Sequence, residues 1–332
     1  MNNTGQIVDT FGRRHEYLRI SLTERCNLRC YYCMPPEGVN IKPLDRYMNG
    51  GEVVDLAKTF VDLGVKKIRL TGGEPLVRKD AAEIIKELGK LPIQLGVSTN
   101  GVLLDRYFEH FKDLSNLNIN ISLDSLNAEK NQRITRRDYF ERITGNIRSA
   151  LDRGYIVKLN VVVIRDLNDD EILDFIDLTK DKNLEVRFIE FMPFLGNKWD
   201  RSLCVSSEQI MGMARDHYHS DNISTFPCEG KTIKALHQVV GFTGKFGIIS
   251  TVSDPFCGSC DRIRLTADGK IRNCLFSDQE IDLLTALRKG EDVEQLIRRS
   301  IFNKHERWGG RTQIKDGRSP NSKIRSMTSI GG

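Results

Sequence analysis

The chain has no apolar run that approaches the ~18 residues needed to cross a bilayer. Residues 1–20 also lack the apolar core of a signal peptide. The net charge is only +5 over 332 residues, which does not favour a polybasic protein that binds nucleic acid. We therefore expect a cytoplasmic protein that binds neither a membrane nor nucleic acid.

The cysteines of the chain are grouped in a way that indicates their role. It has eight cysteines, and six of them fall into two tight groups. In a reducing compartment such grouping indicates metal binding or catalysis rather than disulfide bonds. Cys204 and Cys228 have no such neighbours, and we expect them to be packing residues or free thiols.

Short apolar runs alternate with amphipathic stretches from about Leu18 to Met192. This alternation is typical of βα units around a parallel sheet. Six such units are two fewer than a closed eightfold barrel contains, so we predict an α/β fold with an open, partial TIM-like (βα)6 barrel whose ligands bind at the C-terminal strand ends. A doubly wound sheet is the alternative. The predicted strands are Leu18 to Leu22, Lys67 to Leu70, Ile93 to Val97, Leu117 to Leu123, Ile156 to Ile164 and Leu184 to Phe191.

The pattern changes after Trp199, where elements of another kind follow. We predict a C-terminal α+β extension that carries the second cysteine group, and we divide the chain into residues 1–200 and residues 201–332. The elements expected in this extension are a helix around Ser207 to Arg215, strand-like segments between Lys231 and Arg272, and a charged helix at about Glu291 to Lys304.

The first cysteine group follows the first predicted strand directly and consists of Cys26, Cys30 and Cys33, in C-N-L-R-C-Y-Y-C. A four-iron cluster held by three thiolates keeps one iron open to bind a reactant. Zinc is the alternative, although structural zinc sites usually have four protein ligands. No fourth cysteine adjoins this group.

The second cysteine group contains Cys257, Cys260 and Cys274. Its C-x2-C-x13-C spacing also resembles half of a zinc ribbon, so zinc and an iron-sulfur cluster both remain open here. Arg262 and Arg264 alternate along a predicted strand inside the group, which puts both guanidinium groups on one face. Such groups suit phosphates, carboxylates and purine edges, whereas a solvated basic strand is the alternative.

A glycine turn, T-G-G-E-P from Thr71 to Pro75, follows the second predicted strand. Gly72 and Gly73 would let the polar end of a ligand approach the backbone closely, and a plain βα turn is the alternative. Ser122 and Asp124 end the fourth predicted strand, where their oxygens could contact a cofactor. An Asp at this place is also commonly a helix N-cap.

The C-x3-C-x2-C motif, with an aromatic residue before its last cysteine, closely resembles the signature of radical S-adenosylmethionine (SAM) enzymes. The two cysteine groups are called the first and the second triad from here on. Together with T-G-G-E-P, R-F-I-E-F-M-P at 187–193 and the terminal I-G-G, they resemble the molybdenum-cofactor biosynthesis protein A family of GTP 3′,8-cyclases. The resemblance spans nearly the whole chain and is weakest from about Ser207 to Lys231.

This resemblance implies a lyase with two [4Fe-4S] clusters. The first cluster would bind SAM through its open iron and cleave it reductively to a 5′-deoxyadenosyl radical. The radical would take hydrogen from C3′ of GTP, and the ribose radical would attack C8 to give 3′,8-cyclo-7,8-dihydro-GTP, an early step of molybdenum cofactor biosynthesis. The second cluster would hold the purine through its own open iron. The implied partners are an electron donor and the next enzyme, which makes cyclic pyranopterin monophosphate; a homodimer is left open.

The resemblance also assigns roles to single residues. The first triad, Arg262 and Arg264 would be catalytic, and both triads would be metal ligands. A tail ending in Gly332 would enter the active site, with disorder as the alternative. Buried basic residues in strands need anionic partners, and a triphosphate would supply them. The implied SAM contacts are Tyr32, Gly72, Gly73, Glu74, Ser122, Asp124 and Met192. The implied GTP contacts are Arg19, Lys67, Arg69, Ser98, Lys158, Arg187, Arg262, Ile263 and Arg264.

Two other functions are compatible with the sequence. One is a different radical SAM enzyme with an auxiliary cluster, for example one that modifies a peptide. That enzyme would share the first triad and the glycine turn but would not need a ring of basic strand residues. The other is a non-enzymatic zinc protein that binds nucleic acid through its arginine-rich C-terminal half.

Overall fold

The computed structural model describes residues 5–114, 117–194, 197, 199–228, 233–311 and 326–331. All strands in these residues belong to one sheet of twelve strands. The strands are β1 (Tyr17–Ser21), β2 (Lys67–Thr71), β3 (Gln94–Thr99), β4 (Asn118–Ser122), β5 (Ile156–Val163), β6 (Leu184–Glu190), β7 (Ile223–Pro227), β8 (Ala235–Val239), β9 (Lys245–Ile249), β10 (Arg262–Leu265), β11 (Lys270–Arg272) and β12 (Ile281–Asp282).

The first six strands confirm the predicted open barrel. Strands β1 to β6 lie side by side in chain order, and every neighbouring pair is parallel. A doubly wound sheet would instead reverse its strand order at a switch point, so that alternative is wrong. The six strands fall where the alternation of apolar runs predicted them, with ends that differ by at most two residues.

The α-helices connect the strands and flank the sheet. The first helix begins at a capping box in which Asn49 and Glu52 each accept a backbone N–H bond from the other. The helices are α1 (Gly50–Asp62), α2 (Ala81–Leu88), α3 (Phe108–Phe111), α4 (Ala128–Thr135), α5 (Phe140–Asp152), α6 (Ile172–Asp177), α7 (Ser207–Tyr218), α8 (Leu283–Lys289), α9 (Val293–Phe302) and α10 (Met327–Ile330).

The two faces of the barrel sheet differ in chemistry. Successive side chains of a strand point to opposite faces, and the outer positions, such as Leu18, Ile20 and Ile68, are fully buried in the apolar core. The inner positions are polar, and the register sets Arg19 opposite Arg69 on the neighbouring strand. A closed barrel fills its interior with apolar layers, whereas this open barrel keeps a polar interior.

The C-terminal region completes both edges of the barrel. Strand β10 pairs in parallel with β1, and β9 pairs in parallel with β6. Antiparallel strands continue the sheet beyond them, with β11 and β12 on one side and β8 and β7 on the other. The boundary at residue 200 stays a prediction, but the residues on its two sides share one sheet.

The elements expected after residue 200 are present. Helix α7 covers the predicted helix near residue 207, and α9 covers most of the predicted charged helix. Lys231, residues 312–325 of the tail and Gly332 lie outside the described residues. In the part of the chain that the structure describes, no helix is both long and apolar enough for a bilayer crossing.

A chain that ends at residue 200 should aggregate, because it leaves the β1 and β6 edges without the strands that pair with them. A chain that ends at residue 311 keeps all twelve strands and serves as the control, which we expect to elute as one soluble species in size-exclusion chromatography. A soluble, cooperatively folding fragment of residues 1–200 would contradict this account of the edges.

Candidate active site

The first cysteine triad lies in the loop that leaves the C-terminal end of β1. The loop is tied to the end of α4 by two backbone bonds, since Arg29 N donates to Thr135 O at 2.9 Å and Tyr31 N donates to Ile134 O at 3.0 Å. Within the loop, Cys33 N donates to Cys30 O at 2.9 Å. These bonds fold the loop so that its three thiols become neighbours.

The three thiols of the first triad sit in a half-buried pocket where the charged form is unfavourable. Burial raises the pKa of Cys26 to about 11 and the pKa of Cys33 to about 12. Burial, Asp124 and the two other thiols raise the pKa of Cys30 as well. A metal needs thiolates, so cluster binding here would displace protons.

The arrangement of the thiols bears on which metal group would fit. Among the residues that the structure describes, no group of three or more His, Cys, Asp or Glu side chains converges closely enough to hold one metal ion. The three thiols are nevertheless near enough to influence each other's pKa. A four-iron cluster binds each thiolate to a different iron, and separated neighbours of this kind fit it.

The glycine turn after β2 packs directly against the strand-to-loop segment that carries the first triad. Gly73 N donates to Thr23 O at 2.7 Å, and a Cβ atom on Gly73 would lie 2.4 Å from Arg25 O. A Cβ atom on Gly72 would lie 2.5 Å from Thr23 O. The glycines are therefore required for this contact between two backbone segments. Close approach of a ligand to Gly72 and Gly73 stays a prediction.

Glu74, an implied SAM contact, is used inside the protein. Its carboxylate accepts bonds from Asn100 N at 2.7 Å, Leu76 N at 3.0 Å and Thr99 Oγ1 at 2.8 Å. Burial raises its pKa to about 7 despite these three donors. The side chain joins the turn after β2 to the turn after β3, and the implied SAM contact of Glu74 stays a prediction.

Two other implied SAM contacts form a buried pair. Tyr32 Oη donates to Asp124 Oδ2 at 2.5 Å, and Val162 N donates to Asp124 Oδ1 at 2.9 Å. Burial raises the pKa of Asp124 to about 6. The pair fixes the first triad's loop to the ends of β4 and β5, while Ser122 is exposed and remains available to a ligand.

The second triad lies at the opposite end of the barrel. Cys257 and Cys260 precede β10, and Cys274 follows β11. Because β10 pairs in parallel with β1, all three lie near the N-terminal end of β1, where Tyr17 begins the strand. The first triad follows the other end of β1. At about 3.3 Å per residue this strand spans about 13 Å, so the interior separates the two triads.

The environment of the second triad differs from that of the first. Burial opposes ionisation of Cys260, but the Lys304 ammonium lowers the pKa of this thiol below its ordinary value. Burial and the two neighbouring thiols raise the pKa of Cys257. The three side chains again form one group of neighbours, and they fit a cluster by the same argument as the first triad.

One cavity of about 600 Å³ fills the polar interior between the triads. This volume suits a ligand of nucleotide size. Its walls contain all three cysteines of the second triad as well as Met192. Eight cationic side chains and three carboxylates line it, namely Arg19, Lys66, Lys67, Arg69, Lys158, Arg187, Arg262 and Arg264, with Glu16, Glu185 and Asp261.

Tyr17 lies at the centre of four of these cations. Its hydroxyl accepts bonds from Arg69 Nε at 2.8 Å and Arg19 Nη1 at 3.0 Å. The Lys67 ammonium lies 4.9 Å from its ring centroid, and the Arg262 guanidinium lies at 5.8 Å. Burial would raise the pKa of Tyr17, but the four cations lower it well below its ordinary value.

The cations themselves are held in an unfavourable environment. Burial lowers the pKa of Arg19 to about 10 and the pKa of Lys67 to about 8, and neighbouring cations add to both effects. On the opposite wall, Glu185 pairs with Lys158 at 3.2 Å and with Arg187 at 2.5 Å. One carboxylate for two cations leaves a net positive wall that favours an anionic ligand.

Several buried polar atoms of the interior have no partner within the described residues. These include Arg69 Nη1, a donor, and the side-chain oxygens of Asn120, Asn160 and Thr251. Unpaired buried polar groups are costly. Because the four residues line the cavity, a ligand with acidic oxygens and hydroxyl groups would satisfy them.

Seven of the nine implied GTP contacts line the cavity, and two do not. Ser98 lies in β3 opposite Asn120, which does line it. Ile263 is completely buried in the apolar core on the outer face of β10. The Ile263 side chain therefore points away from the cavity, whereas its neighbours Arg262 and Arg264 line it. The implied GTP contact of Ile263 stays a prediction that only its backbone could fulfil.

The C-terminal tail enters the barrel. Ile330 is 1% exposed and packs with Phe194 and Phe276. Gly331 accepts a bond from Arg264 through its carbonyl, and a Cβ atom on Gly331 would lie 2.4 Å from Thr71 Oγ1. The tail thus reaches the ends of β1 and β2 through Gly331, while Gly332 lies outside the described residues.

The sequence argument missed the residues that complete the cavity, among them Tyr17, Asn120, Asn160 and Glu185. A signal for them was present. Polar residues recur at every second position of five predicted strands, as in Asn118 with Asn120 and Glu185 with Arg187, and Tyr17 continues the pattern one residue before the first predicted strand. Such alternation inside a parallel barrel marks the inner face as polar.

The chain matches known protein families and relatives along most of its length. A family model described as the radical SAM superfamily matches residues 20–179, and one described as Molybdenum Cofactor Synthesis C matches residues 184–309. The GTP 3′,8-cyclase of Listeria welshimeri serovar 6b is 40% identical over 98% of this chain and 98% of its own length. The mitochondrial GTP 3′,8-cyclase of Arabidopsis thaliana is 45% identical over 87% of this chain and 75% of its own.

Other relatives are longer than this chain. The molybdenum cofactor biosynthesis protein moc-5 of Caenorhabditis elegans is 43% identical over 97% of this chain but only 55% of its own length. The chain thus spans about half the length of several curated relatives. Among solved structures, SuiB of Streptococcus suis aligns with a TM-score of 0.61 and 13% identity over 90% of this chain and 68% of that one. Such low identity shows a shared fold alone.

Replacement of Gly73 by alanine should remove iron from the first triad only. The new Cβ atom would collide with Arg25 O and displace the loop that carries Cys26. After anaerobic reconstitution we expect about eight irons per chain in the unaltered protein and about four in Gly73→Ala.

Gly145→Ala is the matched control, because a Cβ atom on Gly145 meets nothing within 4 Å, and it should keep the full iron content. Equal iron in the two variants would show that the contact at Gly73 does not support the triad. Stoichiometric zinc in the unaltered protein would contradict both clusters.

Proposed function

Because the chain belongs to the radical SAM superfamily and, within it, to the family of GTP 3′,8-cyclases, we propose that it converts GTP to 3′,8-cyclo-7,8-dihydro-GTP. This reaction is an early step of molybdenum cofactor biosynthesis. The proposal needs a [4Fe-4S] cluster on each cysteine triad, SAM at the first cluster and GTP in the cavity.

One observation carries the proposal, namely a polar cavity with a cationic wall between two cysteine triads. The cations outnumber the carboxylates by eight to three, and a nucleoside triphosphate brings about four negative charges. The ribose hydroxyls of such a ligand can donate to the unpaired oxygens of Asn120 and Asn160. A ligand that spans the interior would meet the first triad at one end and the second at the other.

The cationic wall would bind and orient the triphosphate. Lys158 and Arg187 are already preorganised by Glu185, and Arg69 is held by the hydroxyl of Tyr17. Preorganised donors lower the cost of fixing a flexible phosphate chain. The guanine end would then lie towards Cys257, Cys260 and Cys274, where the second cluster would hold the purine.

The first triad would hold the group that supplies the radical chemistry. Cys26, Cys30 and Cys33 would bind a cluster that, when present, supplies one electron for the reductive cleavage of SAM. Met192 lines the cavity and Ser122 is exposed, so both can contact SAM. The Gly72–Gly73 backbone and the Tyr32–Asp124 pair hold the loop in place.

The remaining assignments follow from the proposed reaction. It requires an external donor that delivers two electrons one at a time, the first to cleave SAM and the second, with a proton, to reduce the radical left on the cyclised nucleotide. Its product would pass to the enzyme that makes cyclic pyranopterin monophosphate. We propose a cytoplasmic location, which the grouping of six cysteines into two metal-binding triads supports. A peptide-modifying enzyme remains the rival, but it would not need the cationic wall.

Reduced, reconstituted protein should form the cyclised nucleotide and 5′-deoxyadenosine when it is incubated with SAM and GTP. Both products can be measured by liquid chromatography with mass spectrometry, and reactions without GTP or without reductant are the controls. If 5′-deoxyadenosine formed while no cyclised nucleotide appeared, the rival radical SAM enzyme would be favoured. If neither product formed on fully loaded protein, the proposed function would be wrong.

Arg69→Ala should weaken GTP binding by about 10- to 100-fold, since it removes one buried charge-assisted contact worth about 1.5–3 kcal/mol. Calorimetric titration of the SAM-bound protein with GTP measures this change. Arg142→Ala removes an exposed pair with Asp105 and should leave GTP affinity unchanged. Equal affinity in the two variants would place the triphosphate elsewhere.

A further inference from the structure

A short N-terminal segment, which the proposed function leaves unexplained, packs against the second triad. An antiparallel bridge joins Val8 to Arg14, and the segment holds three buried polar side chains. Asp9, Arg13 and His15 are 6%, 9% and 1% exposed, respectively. Buried polar groups must be paired, and their partners identify what the segment supports.

Arg13 connects this segment to the backbone of the triad. Its guanidinium pairs with Asp9 at 2.6 Å and donates to Cys257 O at 2.7 Å. It also donates to Glu306 O at 2.8 Å and His305 O at 2.9 Å. The segment is thereby fixed both to the triad and to the residues that follow α9.

Lys304, immediately beyond α9, has a more unusual environment. The residue is 3% exposed, and no ion pair with a carboxylate joins it anywhere in the described ranges of the chain. Its ammonium lies 3.0 Å from Arg262 O, 3.4 Å from Cys260 O and 3.5 Å from Cys260 Sγ. Two of these three contacts are neutral carbonyl oxygens. The third, the Cys260 sulfur, can carry a negative charge and so can pair with the buried ammonium.

His15 orients the ammonium from the other side. His15 Nε2 lies 3.1 Å from Asp9 Oδ2, and His15 Nδ1 lies 3.5 Å from Lys304 Nζ. A carboxylate can only accept, so Nε2 carries the hydrogen and Nδ1 accepts from the ammonium. A chain of contacts thus runs from Asp9 through His15 and Lys304 to Cys260.

The first triad has no such charge. In the described residues, its Cys26 sulfur accepts from Leu28 N at 3.4 Å and from the Asn100 amide at 3.7 Å, and both donors are neutral. Arg29 is nearby but donates to the Cys26 carbonyl at 2.6 Å. In the part of the chain that the structure describes, a cation therefore donates to a ligand sulfur at the second triad and not at the first.

We propose that Lys304 is a positioning residue of the second cluster, where its ammonium donates to the Cys260 thiolate and raises the cluster's reduction potential. A cluster gains negative charge on reduction, and a buried cation stabilises that form more than the oxidised form. Hydrogen bonds to sulfur and net charge are known determinants of cluster potential, and outer contacts orient the ligands. The inference rests on the proposed function only in requiring a cluster at the second triad.

The test isolates the second cluster in the full chain. A parent variant with Cys26, Cys30 and Cys33 each replaced by serine should retain about four irons per chain. An electrochemical titration followed by electron paramagnetic resonance then gives the midpoint potential of that cluster. Lys304→Met keeps the length of the side chain but removes its charge, and Lys304→Arg keeps the charge.

We expect Lys304→Met to lower the midpoint potential and Lys304→Arg to leave it near the parent value. Lys289→Met, which alters an exposed lysine with 65% side-chain exposure, is the matched control and should change nothing. His15→Gln, which releases the ammonium from its anchor, should lower the potential by a smaller amount. Circular dichroism reports whether each variant is folded.

An unchanged potential in folded Lys304→Met would overturn the inference but not the proposed function. If Lys304→Met does not fold, an unchanged potential in His15→Gln would have the same meaning. A parent variant that binds zinc or no metal would overturn both the inference and the two-cluster assignment.

Discussion

The mutual repulsion of cations on the inner face of one sheet is the constraint on which the rest of this structure depends. Arg19 and Arg69 are direct neighbours across two strands, and Arg264 faces Arg19 from the other side. Burial, Arg262 and Arg69 lower the pKa of Arg19 to about 10, and burial, Arg19 and Arg262 lower the pKa of Arg264. The protein partly offsets the repulsion with Tyr17 and Glu185, and an anionic substrate would offset the remainder.

This constraint explains why the C-terminal region joins the barrel at both edges. The apolar outer face supplies the stability that a charged interior cannot, and it continues through β10 and β9 without interruption. Strand β10 also brings Arg262 and Arg264 into the cavity and places the second triad at the end opposite the first. A single sheet therefore fixes the cationic wall and both triads relative to one another.

The sequence was sufficient for the features that depend on local patterns. Alternating runs predicted β1 to β6, and cysteine spacing predicted both triads. The basic residues of the strands were named through the family resemblance, as contacts of a triphosphate. Contacts between distant segments were not predictable in this way. Gly73 lies against Arg25 O. The Glu74 carboxylate accepts hydrogen bonds from Thr99 and Asn100, at the end of β3. The Ile263 side chain packs in the apolar core.

The same limit applies to Lys304. It belongs to a helical pattern by sequence, yet it meets a cysteine 44 residues earlier in the chain. Neither the hydropathy pattern nor the spacing of residues predicts the contact between Lys304 and Cys260, because only tertiary packing brings the two side chains together. In contrast, the positions on the inner face follow from one another. Once one arginine is known to face inwards, the parallel register identifies the residues beside it on the neighbouring strands as inward-facing too.

The central claim is that the cavity presents the ribose of GTP to the radical formed at the first triad. GTP that carries deuterium at C3′ tests this most directly. The account predicts that mass spectrometry will find the deuterium in 5′-deoxyadenosine, because the hydrogen atom would move from C3′ to the 5′ carbon. Unlabelled 5′-deoxyadenosine, formed in the same amount as the cyclised product, would contradict the account.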